Sequence, residues 1–442
     1  MKITFYGGAG DVTGANYILE SSGGTRIMVD CGLRQGSHDV ERVNWEEFGY
    51  DPASVDALFI THSHIDHVGR VPLLMKRGFK GKIYSTPPAR DAAHELLLDS
   101  EHLLAGTAEQ LGLLPLYDAS NIEAAHAVWE GVPYHRPMTV GDFTVTLYDA
   151  GHVLGSSSIL VTDPSGKRVL FSGDLGNSPA PLLGDKDSMP EAEYCLIESA
   201  YGNRLHEDRA RRKELLEDAI EDTVKSGGTL MIPAFALERT QELLSEIDDL
   251  AENGRIPKIP VFLDSPLAIR LTSVYREHRS YLKGGDFDFE FPGLQMTGTT
   301  EQSRAINLVP SPKVIIAGSG MSNGGRIVHH ERRYLPDPKS TLLFIGYQSE
   351  GTLGRRIMDG AKVVTIFGED VPVNCHVKVI GGYSAHADQA QLLAWLAPRR
   401  DTLKKVFAVQ GEGDASSALV QKMRDELAID AMVPEHGATY EL

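Results

Sequence analysis

A chain of 442 residues, 42% of them hydrophobic, is long for one compact domain and ordinary in composition for a soluble globular protein, so two domains are expected. The net charge of −18 argues against a broadly basic, duplex-gripping surface, although a locally positive cleft around bound cations stays compatible with it. Three scattered cysteines (Cys31, Cys195 and Cys375) exclude a disulfide framework, and no apolar stretch is long enough to span a bilayer; a cytoplasmic protein with no membrane contact and no signal peptide is expected.

In chain order, residues 2–6 and 57–60 read as strands, and 90–104 and 122–130 as helices. The run HSHIDH (62–67) follows the second strand directly, on the kind of loop where α/β folds place chemistry. His62 and His64 can share one metal, and Asp66 and His67 can face a second. Imidazole mixed with carboxylate suits zinc, with manganese or iron as alternatives. A lone HxH pair would more often be surface or satisfied core; four donors in six residues are not read that way. Strand-like 143–149 leads to His152, and 168–171 leads to Asp174, whose carboxylate could bridge two metals. An isolated Asp in such a turn is ordinarily structural, but three strand-end ligand sets recur in one half of the chain.

From about 205 to 370 strands and helices alternate, which predicts a parallel sheet flanked by helices. Strands are expected at 229–232, 261–264, 314–317, 342–345 and 363–367. Leu215, Leu216, Ala219, Ile220 and Val224 form an apolar helical stripe. Strand and helix alternate again after about 375.

HSHIDH, GHVLGS (151–156) and SGDLG (172–176), with the opening GGAGDVTG (7–14) and VDCG (29–32), resemble the metallo-β-lactamase superfamily over nearly the whole chain. ESAYGNR (198–204), IPAFALERTQE (232–242), AGSGM (317–321) and GYSAHAD (382–388) resemble its β-CASP branch of nucleic-acid-processing nucleases. Within that branch the chain is most similar to the short bacterial and archaeal RNA-processing members, which lack the extra C-terminal domain of ribonuclease J.

The resemblance implies an αββα sandwich from residues 1–204, an inserted β-CASP domain at 205–370 and a return to the sandwich at 371–442, with the active site in the cleft between the two domains. It implies a ribonuclease that hydrolyses single-stranded RNA through a metal-bound hydroxide, leaving 5′-phosphate and 3′-hydroxyl ends. His62, His64 and His152 would hold one zinc, Asp66 and His67 the other, and Asp174 would bridge. Asp66, His386 and Glu198 carry the catalytic roles: His386 protonates the departing oxygen or stabilises the phosphate, and Glu198 orients it. Ser319, Arg326, Gln348, Arg355 and Arg239 are phosphate-contact candidates, with Arg204 as a further one. For each arginine a salt bridge is an equally ready reading.

One departure stands out. Where family members carry a histidine before Gly-Glu, this chain has Gln410-Gly411-Glu412, and glutamine is a poor zinc ligand. The second metal is therefore expected to be weak, with Gln410 at most a marginal ligand; His436 reads as a surface turn, and His206, His329 and His330 not as ligands. A catalytically weakened RNA-binding relative and a small-molecule metallo-hydrolase are the alternatives, and the missing C-terminal domain leans toward internal cleavage. A homodimer is the general expectation only.

Overall fold

The computed structural model describes residues 1–36, 38–206, 211–285 and 287–442. The chain forms two compact units, Met1–Leu205 with Ala385–Leu442, and His206–Ser384.

The first unit is two mixed seven-stranded sheets. One runs Thr439–Glu441, Lys2–Gly7, Asn16–Glu20, Arg26–Val29, Ala57–Phe59, Lys82–Ser85, Trp129–Gly131. The other runs Ala431–Met432, Lys405–Val409, Tyr194–Glu198, Arg168–Phe171, Ser157–Thr162, Phe143–Asp149, Met138–Val140. In both sheets antiparallel pairing on one side gives way to parallel pairing on the other. Side chains alternate across each strand. Ile3, Phe5, Ile27, Val29 and Phe59 therefore meet Phe143, Val145, Val161, Phe171 and Phe407 between the sheets. The residues between them point outward. Met28, Leu58 and Ile83 pack with Ala93 and Leu97 of the helix Pro87–Leu111, and Cys195, Ile197, Val406 and Ala408 pack under Gln389–Leu396 and Gly413–Leu427. This is the αββα sandwich.

The second unit is a six-stranded, wholly parallel sheet in the order Leu294–Met296, Val261–Leu263, Lys313–Ala317, Thr229–Pro233, Thr341–Phe344, His376–Val379. Met231, Phe262, Ile315 and Leu342 pack on one face with Ile327 and Ile357 from the helices Ile327–Tyr334 and Leu353–Met358. Arg212–Ser226 packs on the strands Thr229–Pro233 and Thr341–Phe344. No helix among the described residues is long and apolar enough to cross a membrane.

Four sequence expectations shift. The second unit continues to Ser384 rather than 370, because His376–Val379 pairs in parallel with Thr341–Phe344. Residues 363–367 do not join the parallel sheet: Val363–Ile366 forms a hairpin with Glu369–Pro372. Phe367 and Gly368, at φ 51° and 78°, make the two-residue turn. The helix expected at 122–130 is Ala119–Ala127, and Trp129 enters an edge strand. In Arg212–Ser226 the buried stripe is Leu216, Ala219, Ile220 and Thr223; Leu215 lies a third of a turn away and is exposed.

Candidate metal centre

The sequence places the ligands on loops that leave strands of the two sheets, and short-range bonds then fix each loop. Asp30, at the end of Arg26–Val29, accepts hydrogen bonds from Thr61 N–H (2.8 Å), the Thr61 hydroxyl (2.7 Å) and His67 Nδ1 (2.7 Å). Thr61 Oγ1 in turn lies 3.1 Å from His62 Nδ1 and accepts its proton. Both rings thus spend Nδ1 on the scaffold, which turns the Nε2 lone pairs inward. The loop lies tightly against the first sheet: a side chain on Gly32 would sit 1.5 Å from the Asp66 carbonyl.

His62 Nε2 lies 3.0 Å from His64 Nδ1, and His152 Nε2 lies 3.3 Å from the same atom. Asp174 Oδ2 is 3.4 Å from His62 Nε2 and 3.5 Å from His152 Nε2. All four donor atoms fall within 4.8 Å of one another. Burial, reinforced by the neighbouring imidazoles, holds His62 well below the usual histidine range, so its lone pair is available. Burial pushes Asp174 up to about 7 although His67 and His386 pull it down. Three imidazole nitrogens and one carboxylate oxygen packed this closely fit a divalent cation, and a zinc-type site in particular.

The second group is different. His67 Nε2 is 3.7 Å from Asp66 Oδ2 and 3.5 Å from Asp174 Oδ1. The Gln410 side chain stands among them. Its Nε2 is 2.7 Å from His67 Nε2 and 3.1 Å from Asp174 Oδ1.

His386 completes the site. Its loop is strapped to the Asp174 loop by Asn177 N–H to Ala385 O (2.8 Å) and Ala387 N–H to Leu175 O (2.7 Å). Its Nδ1 donates to Glu198 Oε2 at 3.1 Å and lies 3.8 Å from Asp174 Oδ2. Glu198, fully buried, also accepts from Leu175 N–H. Burial would lower His386, but Glu198, Asp174 and Asp66 push it up to about 9. Tyr201 stacks against its ring at 5.9 Å.

The candidate phosphate contacts are used internally. Arg326 donates to Asp264 and to the carbonyls of Thr297 and Gly298. Arg239 pairs with Glu242, and Arg355 with Asp359. Gln348 is buried and donates to the carbonyls of Gly320 and Gly346. Ser319 Oγ accepts from Asn323 N–H. Arg204 lies over the Tyr201 ring. His330 is held by Asp264 at 2.7 Å, and His436 lies 3.3 Å from Arg34. Asp30 and Thr61 carry structural weight that the motif reading left unassigned; their signal was the single aspartate at the end of a buried strand.

The fold and this ligand set define a metal-dependent hydrolase, and sequence comparison agrees. The family description "Metallo-beta-lactamase superfamily" matches residues 9–234, "Beta-Casp domain" matches 240–357, and "Zn-dependent metallo-hydrolase RNA specificity domain" matches 370–434. The chain belongs to the metallo-beta-lactamase superfamily, in its Beta-Casp branch. It is 37% identical to a Thermus thermophilus protein named Ribonuclease TTHA0252, over 95% of each chain. It is 30% identical to an "RNase J-like protein" of Methanocaldococcus jannaschii over 98% of each. The "Transcription termination factor FttA" of Methanosarcina mazei is also 30% identical, over 97% of this chain and 70% of that one. A crystal structure of a protein of unknown function from Enterococcus faecalis V583 superposes with a TM-score of 0.60 at 12% identity, covering 100% of this chain and 99% of that one, a likeness of fold alone.

Proposed function

We propose that this chain is a metal-dependent ribonuclease that hydrolyses phosphodiester bonds within single-stranded RNA, leaving 5′-phosphate and 3′-hydroxyl ends. The observation that carries the reading is the shared Asp174 carboxylate, within 3.5 Å of two imidazoles of the cation site and 3.8 Å from the Glu198-bound His386. A cation site alone suits many hydrolases; a cation site with a poised acid beside it suits cleavage of a bond with a poor leaving group. The ribonuclease names of full-length relatives support RNA as the polymer.

The cation is assigned as zinc, with manganese as the alternative, held by His62, His64, His152 and Asp174. Bound there, such an ion supplies charge neutralisation at a phosphate and acidifies water. The rest falls to the protein. Glu198 fixes the His386 ring through Nδ1 and keeps it protonated at neutral pH. His386 then delivers a proton to the departing 3′ oxygen. Asp30 and Thr61 hold the histidines in the tautomers that face the site. The first unit carries the hydrolysis. Three buried, unpaired cysteines support a reducing, cytoplasmic setting.

A second reading, an RNA-binding relative with weakened catalysis, is favoured by one feature alone, Gln410 at the second group. Incubation of the zinc-loaded protein with internally labelled single-stranded RNA, a lactone and a thioester separates the readings. Internal RNA cuts support the ribonuclease. RNA binding without cuts supports the weakened relative, and turnover of a small ester alone defeats both.

A further inference from the structure

We propose that this centre holds a single resident divalent cation, bound by His62, His64, His152 and Asp174, and that the side-chain amide of Gln410 fills the second position in place of a metal. The idea rests on the metallo-hydrolase reading of the site and adds to it the number of ions.

Three observations converge with the chemistry of an amide. The Gln410 amide nitrogen is 2.7 Å from His67 Nε2 and 3.1 Å from Asp174 Oδ1, two of the donor atoms a second cation would need. An amide –NH2 carries two protons, so one nitrogen can satisfy both acceptors at once. With Nδ1 bonded to Asp30, the neutral His67 ring offers Nε2 as an acceptor. Turning the amide over would set its oxygen against the Asp174 carboxylate, acceptor facing acceptor, so an ionised Asp174 favours the orientation with the nitrogen inward. Gln410, His67 and Asp174 are all buried, so these bonds are not exchanged readily for bonds to water.

The backbone holds the amide there. Gln410 sits at φ 51°, in the left-handed region that non-glycine residues seldom occupy, and its N–H donates to Gly8 O at 2.7 Å. The strand Lys405–Val409 ends directly before it. A cation entering this position would have to break both amide bonds and would gain from Gln410 at most a neutral oxygen, a weak donor to zinc. Asp66, at the partly exposed rim, is then released from ligand duty.

The test counts metal. Wild-type protein is equilibrated with excess Zn2+, dialysed against zinc-free buffer and measured by mass spectrometry, and a Co2+ titration is followed by visible absorption. One ion per chain is expected for wild type and for Asp66→Asn, rising to two in Gln410→His. Two tightly held ions in wild type would overturn the proposal. So would one ion in a Gln410→His protein whose circular dichroism matches wild type, because something other than the amide would then close the position. RNA cleavage in the same samples keeps the questions apart. Two ions with cleavage removes this inference and leaves the ribonuclease; one ion without cleavage does the reverse.

Discussion

The first cation position gathers three imidazoles and a carboxylate from loops that follow three different strands, Ala57–Phe59, Phe143–Asp149 and Arg168–Phe171. The second draws His67 and Asp66 from one helical turn, Ile65–Val68, and meets an amide where another donor would stand. Asp174 belongs to both. The difference shows how little of the scaffold must change to alter a metal site. Asp30, Thr61 and the sheet ends still hold His67 in a ligand's tautomer, and one side chain at the end of Lys405–Val409 decides whether a charge or a pair of N–H groups answers it.

Removing what the two positions share should have the largest effect. Asp174→Ala takes a donor from the first position and an acceptor from the second, so RNA cleavage is expected to fall below detection and bound zinc to drop; retained cleavage would break the account. His386→Ala leaves all four ligands of the first position in place. It should reduce the rate by about 10²–10⁴-fold, the usual span for general acid catalysis, with metal content unchanged. The wild-type rate should decline as pH rises through about 9, where His386 loses its proton. In Glu198→Gln that decline should begin at lower pH, because the charge that raises His386 is gone. A rate loss with an unmoved pH profile would mean that Glu198 only packs.

Asp30→Ala sharpens the contrast from beneath. It unties Thr61 and His67 together and should weaken zinc binding about 10–100-fold, as loss of an orienting partner commonly does. A buried acid outside the metal centre gives a separate check, on stability rather than on catalysis. Glu331 in the second unit has Ser322 as its bonded partner, and burial pushes it up to about 8 although Ser322 pulls it down. The unfolded chain releases that proton near the ordinary carboxylate value, while the folded chain keeps it. Stability should therefore fall between pH ~4.5 and ~8, by at most about 1.4 kcal/mol per pH unit. Glu331→Gln should flatten that slope in thermal melts; an unaltered slope would place the pH dependence elsewhere.

The cluster of donor side chains was legible because HSHIDH compresses four of them into one turn after a buried strand, and His152 and Asp174 follow equally clear strands. The shared contact of His386 with Glu198 and Asp174 was not a matter of spacing: these residues lie 188 and 212 positions apart, and only family motifs joined them. Gln410 was visible as a departure, but its two hydrogen bonds depend on the left-handed backbone at that residue, which no pattern encodes. The arginines read two ways for a plain reason. A guanidinium suits phosphate and carboxylate alike, and in the fold Arg239, Arg326 and Arg355 each meet a carboxylate. Likewise the run 363–367 has strand composition but lies beside Gly368, and a two-residue turn drew it into a hairpin instead of the parallel sheet.

The most direct measurement is a time course on internally labelled single-stranded RNA, using metal-stripped protein with and without added zinc or manganese, beside Asp174→Ala, with the product ends identified. Cleavage that appears only with metal, leaves 5′-phosphates and vanishes in Asp174→Ala is the predicted result. Intact RNA with well-folded, metal-loaded wild type, or cutting that persists in Asp174→Ala, would contradict it.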